Sequence, residues 1–298
     1  YSQYFETSDG TKLAVDYYIP TKDGQEVKEA LPVIFHYTPY GRIMYGKQAA
    51  ELYGVEPEGL YFDDWGIEGL IELGEYGYVL AVAEVRGTGA SFGARLTTNS
   101  RLEAQDGKEV IEWLAKQSFC NGKVGIAGYS YTGQTQLECI SMCPKGLTAA
   151  FVCMTDFDKY DGWIRGGVPR AFGTKPDTEY GSTEEEINST IEKIASETVP
   201  VDDDPEGVLL RQAIREHMNS GSQLEIMRDL NWRDSYLEAS GGPHWKIISA
   251  STYLENINDS GVACYLVGGV YDVFRRDTFI MYRNLTLPKK LLMGHWYH

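Results

Sequence analysis

The sequence has few of the features that would mark a disulfide-stabilised, metal-binding or membrane-spanning protein. Five cysteines occur among 298 residues, too few and too scattered for a disulfide framework. No two of them have the CxxC spacing of a zinc site, so we expect small buried thiols and no metal. The longest apolar runs, such as residues 78–83, have the length of a strand and are too short to cross a bilayer.

Positive charge is scarce as well. Lysine and arginine total 27 against 43 aspartate and glutamate residues, which gives a formal net charge of -16. A chain this acidic is repelled by phosphate backbones and by anionic surfaces, so binding to nucleic acid or to a membrane is not expected. Hydrophobic residues make up 43% of the chain and are mixed with charged ones, which predicts a soluble globular protein. Whether it is cytoplasmic or secreted stays open, as does its oligomeric state.

Short runs rich in β-branched and aromatic residues alternate with stretches of helical periodicity. The runs cover residues 12–19, 32–37, 78–83, 123–127, 149–154, 262–267 and 290–293. Most internal runs are nearly continuous apolar segments, as in parallel strands that helices cover on both faces, whereas the first run alternates and suits an edge hairpin. Between the runs, residues 105–116 carry an apolar helical stripe. This alternation predicts an α/β fold with a mostly parallel central sheet.

One region interrupts the alternation. Residues 156–245 contain no convincing strand, but they include the charged, helix-like segments 184–197 and 205–218, separated by turn-rich stretches. We therefore predict a helical cap at 156–245, inserted into a core formed by residues 1–155 and 246–298.

The segment KVGIAGYSYTGQTQ (123–136) contains the candidate nucleophile. An apolar strand runs into the turn around Ser130 and then into a helical pattern, which is the setting of the G-x-S-x-G nucleophile elbow. The second glycine, Gly133, comes one position later than that pattern requires. On spacing alone, the alternative is a serine at a tight turn or a helix N-cap.

A serine nucleophile needs a base, and the base needs a group that orients it. Asp272 follows the predicted strand at 262–267, and His295 and His298 follow the one at 290–293. Open α/β sheets build their sites at the carboxyl ends of such strands, and the order Ser, Asp, His is that of α/β-hydrolases. Taken singly, Asp272 could instead be a helix N-cap, and either histidine a hydrogen-bonded loop residue.

Several longer stretches resemble a known family. They are DGTKLAVDYYIP (9–20), TPYGR (38–42), VRGTGASFG (85–93) and EWLAKQSFCNGKVGIAGYSYTG (112–133). They are similar to the family of cocaine esterases, X-prolyl dipeptidyl-peptidases and α-amino-acid ester hydrolases, whose own elbow also has its second glycine one residue late. The resemblance implies an α/β-hydrolase fold with an inserted helical cap, and a jelly-roll domain beyond residue 298.

The resemblance also implies roles for individual residues. Ser130 would be the nucleophile, Asp272 the acid and His298 the base that closes the family's Gly-Pro-Trp-x-His pattern. His295 replaces the proline of that pattern, and His298 is favoured over it. The hydroxyl of Tyr40 and the backbone N–H of Tyr131 would form the oxyanion hole.

The implied function is hydrolysis of an ester or amide bond through a covalent acyl-enzyme, without a cofactor, on a small-molecule or short-peptide acyl substrate. Asp156, Asp158 and Trp163 are candidate substrate contacts, since some relatives bind a substrate ammonium group with acidic residues. Helix caps, solvated loop charges and a buried tryptophan are the alternative for these three residues. The alternative functions are an X-Pro dipeptidyl-peptidase and a non-catalytic, hydrolase-like binding module.

Overall fold

Eight strands form one sheet in the computed structural model, which describes residues 1–45, 60–61, 70, 72–169 and 178–298. The strands are β1 (Ser2–Glu6), β2 (Lys12–Tyr18), β3 (Leu31–Thr38), β4 (Val79–Glu84), β5 (Cys120–Tyr129), β6 (Leu147–Cys153), β7 (Ala263–Gly269) and β8 (Lys289–Gly294). Their order across the sheet is β1-β2-β4-β3-β5-β6-β7-β8. The β1–β2 and β2–β4 pairs are antiparallel, and β3, β5, β6, β7 and β8 pair in parallel.

The mostly parallel sheet and the edge hairpin confirm the predicted α/β class. Strand β4 is buried along its whole length, as its continuous apolar sequence indicates. Strand β1 was not predicted, because its side chains are half-buried or exposed and its sequence has no apolar run. In β2, Leu13 to Asp16 are all buried, so burial does not alternate along the strand as its sequence suggests. Asp16 is buried because it forms an ion pair with the buried Arg42.

Nine α-helices lie within the described residues. They are α1 (Arg101–Leu114), α2 (Tyr131–Ser141), α3 (Lys159–Trp163), α4 (Glu184–Ser196), α5 (Val208–His217), α6 (Gln223–Asp229), α7 (His244–Ile247), α8 (Leu254–Asp259) and α9 (Arg275–Asn284). Helix α1 begins four residues before the predicted 105–116 because Ser100 caps it by accepting a hydrogen bond from the Glu103 backbone. None of the helices in the described part of the chain is long and apolar enough to span a membrane.

Shorter elements connect these strands and helices. The 3-10 helices in the described residues are Glu72–Tyr76, Arg165–Gly167, Glu238–Ser240 and Ala250–Tyr253. Two-residue antiparallel ladders pair Thr21–Lys22 with Gln25–Glu26, Met44–Tyr45 with Leu60–Tyr61, and Tyr236–Leu237 with Gly242–Pro243. The last ladder lies in the region that was expected to lack strands. Its two residue pairs leave that region predominantly helical.

By internal packing, the chain divides into two compact units. One comprises Tyr1–Lys28, His36–Leu96 and Thr178–Gly221, and the other Glu29–Phe35, Thr97–Asp177 and Ser222–His298. The region predicted as a cap, 156–245, contributes residues to both units. The domain boundaries inferred from the sequence therefore stay a prediction.

In the first unit, helices α4 and α5 form an apolar cluster. Ile191 and Ala195 of α4 pack with Leu210 and Ile214 of α5. Thr183 and Glu186 form a capping box that starts α4. These two helices match the predicted segments 184–197 and 205–218.

In the second unit, a separate apolar cluster surrounds Trp245. It contains Ile164, Leu230 and Ile248, and the Trp245 indole nitrogen donates to the Leu230 carbonyl at 2.8 Å. This unit also contains strands β5 to β8 and helices α1 and α2, which carry the candidate nucleophile and its partners.

Candidate active site

Ser130 lies at a sharp turn between strand β5 and helix α2. Its φ of 57° and ψ of -120° are strained for a residue with a side chain. The turn is held by the backbone: Ser130 N–H donates to the Cys153 carbonyl at 3.0 Å, and Gln134 N–H donates to the Ser130 carbonyl at 3.0 Å. This strand–turn–helix geometry is that of a nucleophile elbow.

The two glycines of the turn are required by close approaches. A Cβ on Gly128 would lie 2.5 Å from the Thr132 carbonyl oxygen, and one on Gly133 would lie 2.8 Å from the Cys153 carbonyl oxygen on β6. Thr132 occupies the position at which the short motif has glycine. Its hydroxyl accepts a hydrogen bond from the Tyr129 N–H and donates one to the Tyr129 carbonyl, each at 2.8 Å. The close approach of strand β6 therefore explains why the second glycine is Gly133, one position later than in the short motif.

His298 connects the serine to the acid. Its Nε2 lies 2.8 Å from Ser130 Oγ, and its Nδ1 lies 2.7 Å from Asp272 Oδ1. Asp272 follows β7 and His298 follows β8, so the carboxyl ends of parallel strands bring the three side chains to one edge of the sheet. The structure thus brings together Ser130, Asp272 and His298, as the sequence predicts. His295 is exposed.

The Asp272 carboxylate is fully buried. Its Oδ2 accepts a hydrogen bond from Phe274 N–H at 3.0 Å, so both oxygens are engaged. The His298 ring lies 4.8 Å from the Tyr129 ring and 5.4 Å from the Phe274 ring, measured between centroids. These contacts fix the imidazole in one orientation. A proton on Nδ1 would be donated to Asp272 and would leave Nε2 to accept the Ser130 proton.

Cys153, at the end of β6, is a second potential nucleophile in this part of the fold. Burial, and the negative charge of Asp272, raise the pKa of its thiol to about 11. At neutral pH the thiol is therefore protonated and a poor nucleophile. Ser130 differs from Cys153 in having a base, the His298 imidazole, within hydrogen-bond distance of its side chain.

Tyr131, the first residue of α2, has its backbone N–H at the helix N-terminus. Its phenol donates to Glu103 Oε2 at 2.6 Å and accepts from Asn99 N–H at 3.1 Å. The sequence reasoning missed Glu103. Its S-x-x-E spacing from Ser100 is a capping-box signal, and would have indicated helix capping rather than a contact with Tyr131.

Tyr40 lies in the loop after β3, in the first unit, and its side chain is 37% exposed. Its N–H donates to Thr38 Oγ1 at 3.1 Å. Two residues on, Arg42 is buried in ion pairs with Asp16 and Glu84, and its N–H donates to Glu84 Oε1 at 3.2 Å. The loop is thereby held on both sides of Tyr40, whose role in an oxyanion hole stays a prediction.

The three candidate substrate contacts have partners within the protein. Asp156 is buried, accepts from the Trp163 indole N–H at 3.0 Å and pairs with Lys159 at 3.2 Å. Asp158 caps α3 and forms an ion pair with Arg233 at 2.6 Å. These contacts agree with the structural alternative, and substrate binding by the three residues stays a prediction. The described residues contain no group of three or more His, Cys, Asp or Glu side chains placed to hold a metal ion.

The sequence relatives described here are esterases by name. The chain is 28% identical over 326 residues to a predicted serine esterase of Mycobacterium bovis, an alignment that covers 100% of this chain and 51% of that protein. It is 30% identical over 152 residues to a cocaine esterase of Rhodococcus sp., covering 51% of this chain and 23% of that one. The chain spans about half the length of the first of these curated relatives.

Solved structures share the fold at lower identity. A CocE/NonD family hydrolase from Staphylococcus aureus superposes with a TM-score of 0.68 at 22% identity, covering 98% of this chain and 45% of that one. An α-amino acid ester hydrolase superposes with a TM-score of 0.55 at 17% identity, covering 100% of this chain and 48% of that one. These likenesses confirm the α/β-hydrolase fold.

The sequence model of the X-Pro dipeptidyl-peptidase (S15) family matches residues 9–298, nearly the whole chain. The match includes every residue of the elbow and both strand ends that carry Asp272 and His298. It agrees with the resemblance stated from the motifs. The chain therefore belongs to the X-Pro dipeptidyl-peptidase (S15) family.

Proposed function

We propose that this protein is a serine hydrolase that cleaves carboxylic esters through an acyl-enzyme on Ser130. One observation carries the proposal: the His298 imidazole lies within hydrogen-bond distance of both Ser130 Oγ and the buried Asp272 carboxylate. A serine hydroxyl is a weak nucleophile at neutral pH, and this arrangement supplies the base and its orienting group.

The reaction follows from the roles of the three side chains. Ser130 Oγ attacks the carbonyl carbon while His298 Nε2 takes its proton, and Asp272 stabilises the imidazolium that forms. The imidazolium then protonates the leaving alkoxide as the tetrahedral intermediate collapses to the acyl-enzyme. Water, deprotonated by His298, attacks the acyl carbonyl, and the proton returns to Ser130 Oγ as the acid is released.

The oxyanion of the tetrahedral intermediate needs hydrogen-bond donors. We assign this role to the Tyr40 hydroxyl, from its place in the TPYGR motif, and to the Tyr131 backbone N–H at the start of α2. A helix N-terminus favours developing negative charge, which supports the second assignment.

A second candidate is release of X-Pro dipeptides, which uses the same steps with an amine as leaving group. The name of the family to which the chain belongs supports this candidate. The names of the curated relatives favour the ester reaction.

Kinetics on the full-length protein test both the mechanism and the substrate class. We expect Ser130→Ala and His298→Gln to lower turnover of a p-nitrophenyl ester by roughly 10⁴-fold or more, because each removes a member of one unit. His295→Gln is the matched control and should keep normal turnover. The ratio of kcat/KM for the ester to that for an X-Pro p-nitroanilide separates an esterase from a dipeptidyl-peptidase. Full activity of Ser130→Ala would contradict the mechanism, and inactivity of the unmodified protein on both substrates would favour a binding module.

A further inference from the structure

A partly buried polar contact joins the residue after Ser130 to the first turn of helix α1. Tyr131 donates its phenolic proton to Glu103 Oε2 at 2.6 Å, and the Glu103 side chain is almost completely buried. Asn99 N–H donates to both groups, at 3.1 Å to the phenol oxygen and 3.2 Å to the carboxylate. Ser100 Oγ accepts from Glu103 N–H at 3.1 Å and so fixes the backbone of the glutamate. The tyrosine is thus tied to a rigid group.

Stability alone is a poor explanation for this contact. Burying a carboxylate costs hydration energy, and well-packed apolar side chains of similar volume are often equally stabilising. What a short hydrogen bond to a carboxylate adds is a defined direction and distance. The contact therefore points to a requirement for orientation at Tyr131.

The orientation matters because of the neighbouring serine. Ser130 has a strained positive φ, a conformation that persists only where the surroundings impose it. Its N–H is held by strand β6, through Cys153, and the turn is closed by the Thr132 hydroxyl. The hydrogen bond from the Tyr131 phenol to Glu103 of α1 adds a further restraint. It acts on Tyr131, the residue directly after the nucleophile.

We propose that Glu103 is a positioning residue that acts through the Tyr131 phenol. It fixes the first turn of α2, so that the Tyr131 N–H and Ser130 Oγ keep the geometry that acyl transfer needs. This inference rests on the proposed function, in which that N–H binds the oxyanion.

The test is a set of variants at the two ends of the contact. Tyr131→Phe removes only the hydroxyl and Glu103→Leu removes the carboxylate, and each should lower kcat for a p-nitrophenyl ester about tenfold with KM changed less than about twofold. Glu103→Gln keeps an acceptor oxygen and should retain most of the turnover. Because both changes act through one hydrogen bond, the double variant Tyr131→Phe/Glu103→Leu should be no slower than the slower single variant.

A second partly buried contact between the same helices provides the control. Arg101 donates to Ser141 Oγ at 2.8 Å, at the other end of α2. Ser141→Ala should lower the melting temperature in the way the Glu103 variants do but leave kcat unchanged. If Glu103→Leu does not fold, Tyr131→Phe decides the question.

Three results would overturn the inference. The first is a normal kcat in Tyr131→Phe, and the second is a loss of kcat in Ser141→Ala as large as that in Tyr131→Phe. The third is a loss of kcat in the double variant equal to the product of the fold-losses in the two single variants. A failure of the proposed function looks different, because Ser130→Ala would then remain active. Loss of activity in Ser130→Ala with normal turnover in Tyr131→Phe would reject only the positioning role.

Discussion

His298 is held between two oxygen atoms with different chemical tasks. In the proposed mechanism the Ser130 hydroxyl loses a proton to His298. The Asp272 carboxylate is buried, already accepts a hydrogen bond from Phe274 N–H, and can accept a second one from the imidazole. A base that is fixed at both ring nitrogens needs little reorganisation when the reaction starts. At the scale of single residues, this fixed geometry is the main reason to expect catalysis.

Tyr40 is the residue whose assignment depends most on its motif. We expect Tyr40→Phe to lower kcat roughly 10²–10³-fold with little change in KM, because one oxyanion donor contributes about 2.7–4 kcal/mol to the stability of the transition state. Steady-state kinetics on a p-nitrophenyl ester measure this effect. Tyr76→Phe, at a side chain that is 76% exposed, is the matched control. Near-normal turnover in Tyr40→Phe would remove the hydroxyl from the mechanism.

At the scale of elements, the elbow combines a strained serine with two close backbone approaches. Gly128 faces the Thr132 carbonyl, and Gly133 faces the end of β6. The strand, the turn and the first turn of α2 therefore depend on one another. Such a turn tolerates very little added volume, whereas the middle of β5 has more room.

Gly128→Ala tests this dependence. Its Cβ would lie 2.5 Å from a backbone oxygen, so the turn must shift, and we expect a loss of about 1–3 kcal/mol in the free energy of unfolding together with a large drop in kcat. Chemical denaturation and ester kinetics provide the two measurements. In the same strand, the Cβ of Gly125→Ala would come closest to the flexible end of Ile34, at 3.1 Å, and would lie at ordinary contact distance from backbone, so this variant should lose far less activity. Equal losses in the two variants would contradict the explanation.

At the scale of the whole molecule, the features that the sequence predicted are those with a local signal. Runs rich in apolar residues, most of them continuous and the first one alternating, predicted seven of the eight strands. The order of Ser130, Asp272 and His298 predicted which strand ends meet. Strand β1 was missed because pairing with β2, rather than its own composition, makes it a strand. The contacts of Glu103 with Tyr131 and of Arg42 with Asp16 were missed for a related reason: each joins residues 26 or 28 positions apart, a separation that no periodic pattern encodes.

A buried carboxyl group gives the stability of the fold a pH dependence. Burial, and the nearby Asp156 carboxylate, raise the pKa of Asp277 from 3.8 to about 6. Its carboxyl group binds a proton more tightly in the folded than in the unfolded state. This contribution to stability is therefore complete below about pH 4 and is lost as the pH rises through about 6.

Asp277→Asn should remove that dependence. Its side-chain oxygen can still accept from the Phe157 N–H, which bonds Asp277 Oδ1 at 3.1 Å. We expect the variant to match the wild type near pH 4 and to be more stable by about 2–3 kcal/mol at pH 7. Urea denaturation of both proteins from pH 4 to pH 8 measures the difference. A gap that is constant across this range would show that Asp277 is not the group responsible.

The assignment of Ser130 as the nucleophile can be tested by covalent labelling of the full-length protein with a fluorophosphonate, followed by mass spectrometry of its peptides to locate the adduct. We expect one adduct, on Ser130, that is absent from Ser130→Ala. It should form far more slowly in His298→Gln, because phosphonylation also requires a base to remove the proton of the hydroxyl. His295→Gln should label at the normal rate. An adduct on another residue, or none on the folded protein, would contradict the assignment of Ser130 as an activated nucleophile.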